Sequence, residues 1–203
     1  MRLIIVRHGQ TDDNLHDILS GQKGPGLNQT GRKQVEKAGL FLRKEKITAA
    51  YSSDQLRAKE TAKIILSYHP NVPWLKRRKL RDRNFGTYNQ KTEAKAIQEA
   101  KLKKSTWEDY NFEYGESFLD LQRRAVQAYK TIFAKHKNGR VLIVSHGDTI
   151  ASLLVYLLGK SIYEEKKYSP LNTAITILDI SLDKKTDSVK IVLLDSLRHL
   201  NRK

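Results

Sequence analysis

Hydrophobic residues fall along this chain in two alternating patterns. Short apolar runs, Leu3 to Val6, Ala49 to Ser52 and Val141 to Val144, predict strands buried on both faces. Between them, apolar positions recur at helical spacing. A helix starting at Thr30 carries Val35, Ala38 and Leu42 to about Arg43, and one from Asp54 to Tyr68 carries Ala58, Ala62 and Ile65, with Pro70 and Pro73 ending it. A long amphipathic helix runs from Glu116 to about His136 with Phe118, Leu121, Ala125, Ala128 and Ile132 on one face, and another follows over Asp148 to Leu158. The Ala, Glu, Lys and Gln content of Thr92 to Lys104 predicts a further helix, and Trp74 to Leu80 reads as extended. Gly159 ends a helix and Ser161 to Lys167 begins a short one. Asn172 to Ile180 and Val189 to Leu194 form an antiparallel pair around the turn-rich Asp183 to Asp187. Strands alternating with helices predict an α/β fold, its sheet mostly parallel with an antiparallel edge.

The polar residues that follow two of these strands change the picture. The first strand ends on Arg7-His8-Gly9 and the later one on Ser145-His146-Gly147, at the carboxyl edge where open α/β sheets hold their ligands. Either triplet alone is best read as an ordinary strand-end turn; as neighbours in one parallel sheet they would set His8 and His146 face to face beside Arg7. Arg57, in the first turn of the helix after Tyr51-Ser52-Ser53, points a third cation into the same crevice. The polar loop Gln10 to Asn28, with Gly21, Gly24 and Gly26, can bring backbone NH groups close to an anion, and Asn14 adds an amide donor.

On these residues the chain resembles the histidine phosphatase superfamily, in its phosphoglycerate-mutase-like branch. The family's R-H-G-x-T-x-x-N stands at Arg7 to Asn14, its S-S-x-x-x-R-A-x-x-T-A at Ser52 to Ala62, its G-E-S at Gly115 to Ser117 and its S-H-G at Ser145 to Gly147. The resemblance implies a phosphoglycerate-mutase-like three-layer α/β/α sandwich over residues 1–203 as one domain, with a lid-like insertion near 86–115. It also implies that Asn14, Ser20, Gly21, Glu116 and Gly147 lie at the phosphoryl group or substrate.

Composition bounds this reading without redirecting it. A chain of 203 residues without a linker-like tract supports one core, and no apolar stretch is long enough to span a membrane. The chain opens directly on a strand rather than a signal peptide, and cysteine is absent, which is compatible with a reducing cytoplasm. The net charge of +16 attracts anions. Because Lys and Arg are spread out, it reads as a lysine-rich surface rather than a dedicated nucleic-acid site. Lys76-Arg77-Arg78-Lys79, with Arg81 and Arg83, is the only dense basic run. Trp107, Tyr110, Phe112 and Tyr114 read as lid packing before substrate contact. His136 suits a helix end, while His16, His69 and His199 carry no assigned role.

Phosphoryl transfer needs cationic positioning more than covalent chemistry, and Arg7 and Arg57 offer planar forks of donors for it. Neutral His8 is the expected nucleophile, provided its other ring nitrogen donates to a fixed acceptor, and His146 is expected to serve as a protonated donor. Where many relatives carry L-x-E-x-x-F/Y-G with the glutamate as proton donor, this chain reads Leu80-Arg81-Asp82-Arg83-Asn84-Phe85-Gly86, so the position is Asp82. Glu116 is the reserve acid and Glu93 a weaker one; the plain alternative pairs Asp82 with Arg81 or Arg83. The family's W-E-G after this motif is replaced by Tyr88-Asn89-Gln90. No metal and no cofactor are expected. The sequence therefore reads as a phosphatase of the histidine acid phosphatase type acting on a small phosphorylated metabolite. A mutase is the alternative, disfavoured by the chain's shortness, and a binding or regulatory protein of the same fold is the third reading.

Overall fold

The computed structural model describes residues 1–182 and 187–201. Its sheet has six strands in the order β3-β2-β4-β1-β5-β6. These are β1 (Arg2–Arg7), β2 (Ala49–Ser52), β3 (Trp74–Lys76), β4 (Arg140–Ser145), β5 (Ile175–Leu182) and β6 (Asp187–Ser196). The first four run parallel, and the antiparallel edge consists of two strands, β5 on β1 and β6 on β5. The expected turn at 183–187 lies outside the described residues except for Asp187.

Strand alternation sorts the apolar runs onto two faces. Ile4, Val6, Ala50, Leu142 and Val144 pack on α2 (Gln29–Leu42) and α3 (Leu56–Leu66). Leu3, Ile5, Val141 and Ile143 pack on α5 (Phe118–Lys135) and α6 (Gly147–Leu157). Side chains two apart share a face, so a four-residue run supplies two residues to each core. The result is the expected three-layer sandwich.

Most differences from the pattern lie at element ends, where capping rather than periodicity decides. Asn28 starts α2 by accepting from the Gly31 N–H, so the helix begins before Thr30. Trp74 to Leu80 is extended only to Lys76 and then makes a 3-10 turn, Arg78–Leu80. The loop after β1 contains one helical turn, α1 (Asp12–Leu15), capped reciprocally by Thr11 and Asn14.

Residues 86–115, including α4 (Glu93–Leu102), wrap a small core of Phe85, Ala96 and Phe112, with Trp107 and Tyr110 against it. Tyr114, expected in that cluster, is exposed instead, in a left-handed turn at φ 56°. At its centre lies Arg83, fully buried, donating to the carbonyls of Glu116 (3.2 Å), Trp107 (3.1 Å) and Tyr110 (2.7 Å). Neither Arg83 nor Arg81 therefore belongs to a basic surface run; Arg81 donates two 2.7 Å bonds to Asp54.

The neck of this excursion is Gly86, at φ +53°, where an added Cβ would stand 1.8 Å from the Glu113 carbonyl oxygen. Gly159, at φ +62°, has nothing within 4 Å of that position. Gly159→Ala should therefore cost only the left-handed backbone penalty, about 1 kcal/mol, and Gly86→Ala about 2–4 kcal/mol with loosening of the excursion. Denaturant unfolding of both variants checks this; equal losses would mean that the neck is not tightly packed.

Candidate functional site

Two parallel strands in register bring the histidines together. Arg7 lies opposite Ser145, the His8 N–H donates to the Ser145 carbonyl at 3.0 Å, and the His8 and His146 rings sit 5.1 Å apart between centroids. Each is buried. His8 Nδ1 lies 2.8 Å from the Gly9 carbonyl oxygen and Nε2 lies 3.2 Å from Arg57 Nε, a donor. A carbonyl can only accept and a guanidinium can only donate, so the proton is assigned to Nδ1 and the lone pair to Nε2.

Arg57 is brought there by the first turn of α3 and is 1% exposed. Besides His8 it reaches the Lys23 carbonyl at 2.7 Å, the Gly21 carbonyl at 2.8 Å and Asp82 Oδ2 at 3.0 Å. Gln55 caps α3 without a side-chain cap bond, its amide instead tying the Gly21 carbonyl (2.9 Å) to the Asp82 N–H (2.7 Å). Asp82 thus pairs with neither Arg81 nor Arg83 side chains. It accepts from Arg57 and from the Arg83 backbone N–H (3.0 Å), with Oδ2 at 3.8 Å from His146 Nδ1.

The remaining candidates separate. Arg7, His8, Asn14, Ser20, Asp82 and Gly147 line a cleft of about 570 Å³. Asn14 Oδ1 accepts from Thr11 N–H and Asn172 Nδ2, leaving its own amide nitrogen as the free donor. The Ser20 hydroxyl donates to Asp13 at 2.7 Å. Gly21, expected beside the phosphoryl group, is not in the cleft lining, because its carbonyl is turned onto Arg57 and Gln55. Glu116 is not in the lining either: both of its oxygens hold Arg124 (2.5 and 2.8 Å) and one also accepts the Asn84 N–H. Arg124 in turn grips the carbonyls of Arg81 (2.6 Å) and Asp82 (2.7 Å), so Glu116 braces the Asp82 loop from behind. Glu93 reaches the cleft wall. Asn89, in the altered Tyr88-Asn89-Gln90, folds the turn below by accepting from Phe85 N–H, and Gln90 donates to Asp13.

The other histidines have structural partners. His136 Nε2 is 2.9 Å from the Tyr51 hydroxyl and His199 Nε2 is 3.1 Å from Thr173 Oγ1, while His16 Nδ1 lies 2.8 Å from the Asp12 carbonyl, a partner the sequence did not suggest.

The electrostatics favour an anion at this site. Burial, then Arg57 and Arg7, holds His8 well below the ordinary histidine range. Burial, then Arg57 and His8, does the same to His146, which opposes the protonated form expected of it. Both His146 ring nitrogens and Arg7 Nε are buried without hydrogen-bond partners among the described residues. Buried polar atoms are nearly always paired, so three orphaned ones on Arg7 and His146, next to His8, make this a candidate ligand site.

Among the lining residues that sequence reasoning did not assign to the site are Asn172, Asp148 and Glu165, and Trp107, read first as lid packing, also reaches the cleft. Burial, then the neighbouring Asp82, raises the Asp148 carboxyl to about 7, and burial, then Asp148, raises Glu165 to about 7. Asp148 follows the S-H-G motif directly, a signal that was available; Glu165 carried none.

The family model for the histidine phosphatase superfamily (branch 1) matches residues 3–190. A broad-specificity phosphatase of Saccharomyces cerevisiae is 32% identical over 200 residues, covering 95% of this chain and 85% of that one. A 2,3-bisphosphoglycerate-dependent phosphoglycerate mutase of Bartonella bacilliformis is 31% identical over 201 residues, covering 94% and 97%. The solved structure of Bacillus stearothermophilus YhfR superposes with a TM-score of 0.85 at 28% identity, covering 98% of this chain and 99% of that one. The shortness argument against a mutase therefore falls, since a mutase of this length exists.

Between the ordinary glutamate range and about pH 7, the folded protein holds a proton on Glu165 that the unfolded chain has released. Raising pH through that window therefore costs stability. Glu165→Gln should be more stable than the parent at pH 8, by on the order of 1 kcal/mol, with the gap closing towards pH 5. Thermal unfolding at both pH values checks it; a gap independent of pH would contradict the raised carboxyl.

Proposed function

We propose, for a chain that belongs to the histidine phosphatase superfamily, the activity of a metal-independent phosphomonoesterase working through a phosphorylated His8. The supporting observation is the fixed tautomer: with Nδ1–H on the Gly9 carbonyl, Nε2 carries no proton, and its lone pair accepts from Arg57 Nε at 3.2 Å, a contact that phosphoryl oxygens would take over, beside buried Arg7 and His146. The name of the yeast relative, a broad-specificity phosphatase, agrees with this reading.

In the first step Nε2 attacks phosphorus and the ester oxygen departs, taking a proton from Asp82. Arg7, Arg57 and His146 bear the charge on the three phosphoryl oxygens, the dianion itself favouring a proton on His146. In the second step a water gives its proton to the Asp82 carboxylate as its oxygen attacks phospho-His8, releasing phosphate and restoring both groups. Arg57 links the two: one guanidinium spans His8 and Asp82, so nucleophile and acid are set at a common distance. Residues 86–115 serve as the lid over the cleft.

The second reading, a mutase returning the phosphoryl group to another hydroxyl, is favoured by the similarity to the Bartonella mutase along almost its full length. It shares the phosphohistidine and differs in excluding water.

With an aryl phosphate and no added metal, His8→Ala should lose about a thousandfold or more in kcat/KM. Asp82→Asn should lose roughly a hundredfold on an alkyl phosphate but far less on the aryl one, whose leaving group needs no proton. The kcat/KM optimum should be acidic to near neutral, because the nucleophile stays neutral there while the acid must be protonated. An optimum above about pH 8 would remove Asp82 from the donor role. Free phosphate from 3-phosphoglycerate marks the phosphatase, and 2-phosphoglycerate the mutase. No turnover of any of these would leave a binding protein.

A further inference from the structure

The protein carries 38 lysines and arginines against 22 acids, yet the outer cleft is acidic. Asp17, Glu93, Asp148 and Glu165 line it against one cation beyond Arg7, Lys166. Other enclosed acids here are satisfied: Glu116 by Arg124, Asp54 by Arg81, Asp13 by Ser20 and Gln90. Glu165 is 2% exposed and makes no hydrogen bond or ion pair among the described residues, and Asp148 Oδ2 is sealed from solvent without a partner. Arg83 is committed to three carbonyls and one Arg7 nitrogen to the Pro170 carbonyl at 2.6 Å, and the neighbouring Lys166 makes no ion pair with either carboxyl. A buried carboxyl without a partner is relieved either by keeping its proton or by meeting a cation, and this pair opens on the cleft where a cation could arrive.

We propose that Glu165 and Asp148 form an ammonium subsite in the outer cleft, which receives a positively charged nitrogen on the leaving group of a phosphomonoester. The proposal rests on the phosphatase reading and adds to it a substrate class: phosphorylated amino alcohols or amino sugars rather than phosphorylated carboxylic acids. The phosphoryl group occupies the cationic end between Arg7 and His146, and the amine the anionic end. A leaving group bearing a carboxylate would bring a third negative charge against two carboxyls that already disfavour each other's ionisation. The charges facing the pair are Asp82, Glu93, Glu108, Lys166, Arg7 and Arg83, and none lies within ion-pair distance of either. An arriving ammonium favours the ionised form, so its binding near pH 7 releases protons that a neutral ligand leaves in place.

Three phosphomonoesters of one size isolate the charge: 2-aminoethyl, 2-hydroxyethyl and carboxymethyl phosphate. In the parent protein kcat/KM should favour aminoethyl over hydroxyethyl phosphate by roughly tenfold, the worth of one partly buried charge pair, with carboxymethyl phosphate last. Glu165→Gln and Asp148→Asn should each bring the first ratio towards one. Calorimetry on His8→Ala, which cannot turn over, reads the same order in affinity and, in two buffers of different ionisation enthalpy, proton release with the aminoethyl ligand alone. That arm stands if turnover is absent, so failure of the phosphatase reading and failure of the subsite are separable. Equal affinities for the aminoethyl and hydroxyethyl esters, tighter binding of the carboxymethyl ester, or a preference that survives both substitutions would overturn the subsite.

Discussion

A single buried guanidinium holds this site together. Arg57 gives Nε–H to His8 Nε2, two further donors to the Lys23 and Gly21 carbonyls of the loop after β1, and a fourth to Asp82. Four segments that are remote in sequence meet on one planar fork, whose geometry is rigid where a lysine's would not be. Burying that cation costs desolvation, and the carbonyls and the Asp82 carboxylate offset it. Burial, and after it this charge, pushes His8 and His146 well below the ordinary histidine range. The setting of His8 and the position of Asp82 are thus consequences of one packing decision at the start of α3.

Around it, arginine is used three further ways. Arg7 leaves a donor free at the phosphoryl end. Arg83 replaces a hydrophobic centre in the excursion 86–115, its plane lying within 5.0 to 5.8 Å of four aromatic rings while its nitrogens satisfy carbonyls. Arg124 clamps the Asp82 loop against Glu116. A few of the arginines that contribute to the basic composition are therefore internal scaffolding, and the cleft between them grades from cationic at Arg7 to acidic at Glu165.

The second layer of support lies behind the strand ends. Thr173, in the left-handed region at φ 61°, donates its N–H to the Arg7 and His8 carbonyls at 3.2 Å, and Asn172 reaches the His8 carbonyl and Asn14. His199, near the carboxyl terminus, holds Thr173 from below. The turn bearing the nucleophile is therefore fixed from the antiparallel edge of the sheet as well as from β4.

The sequence by itself determined the sheet, the helices and the meeting of His8, His146, Arg7 and Arg57, because strand runs, helix stripes and strand-end triplets are local patterns whose periods survive in any well-packed α/β protein. It could not assign Glu116, Gly21 or Glu165. Their roles depend on which partner a side chain or carbonyl finds across the fold: Glu116 meets Arg124, the Gly21 carbonyl meets Arg57, and Glu165 meets none. It also could not fix the charge on His146, which follows from burial beside Arg57 rather than from its neighbours in the chain. Pairing and desolvation are properties of the assembled interior, and only the tertiary structure decided them.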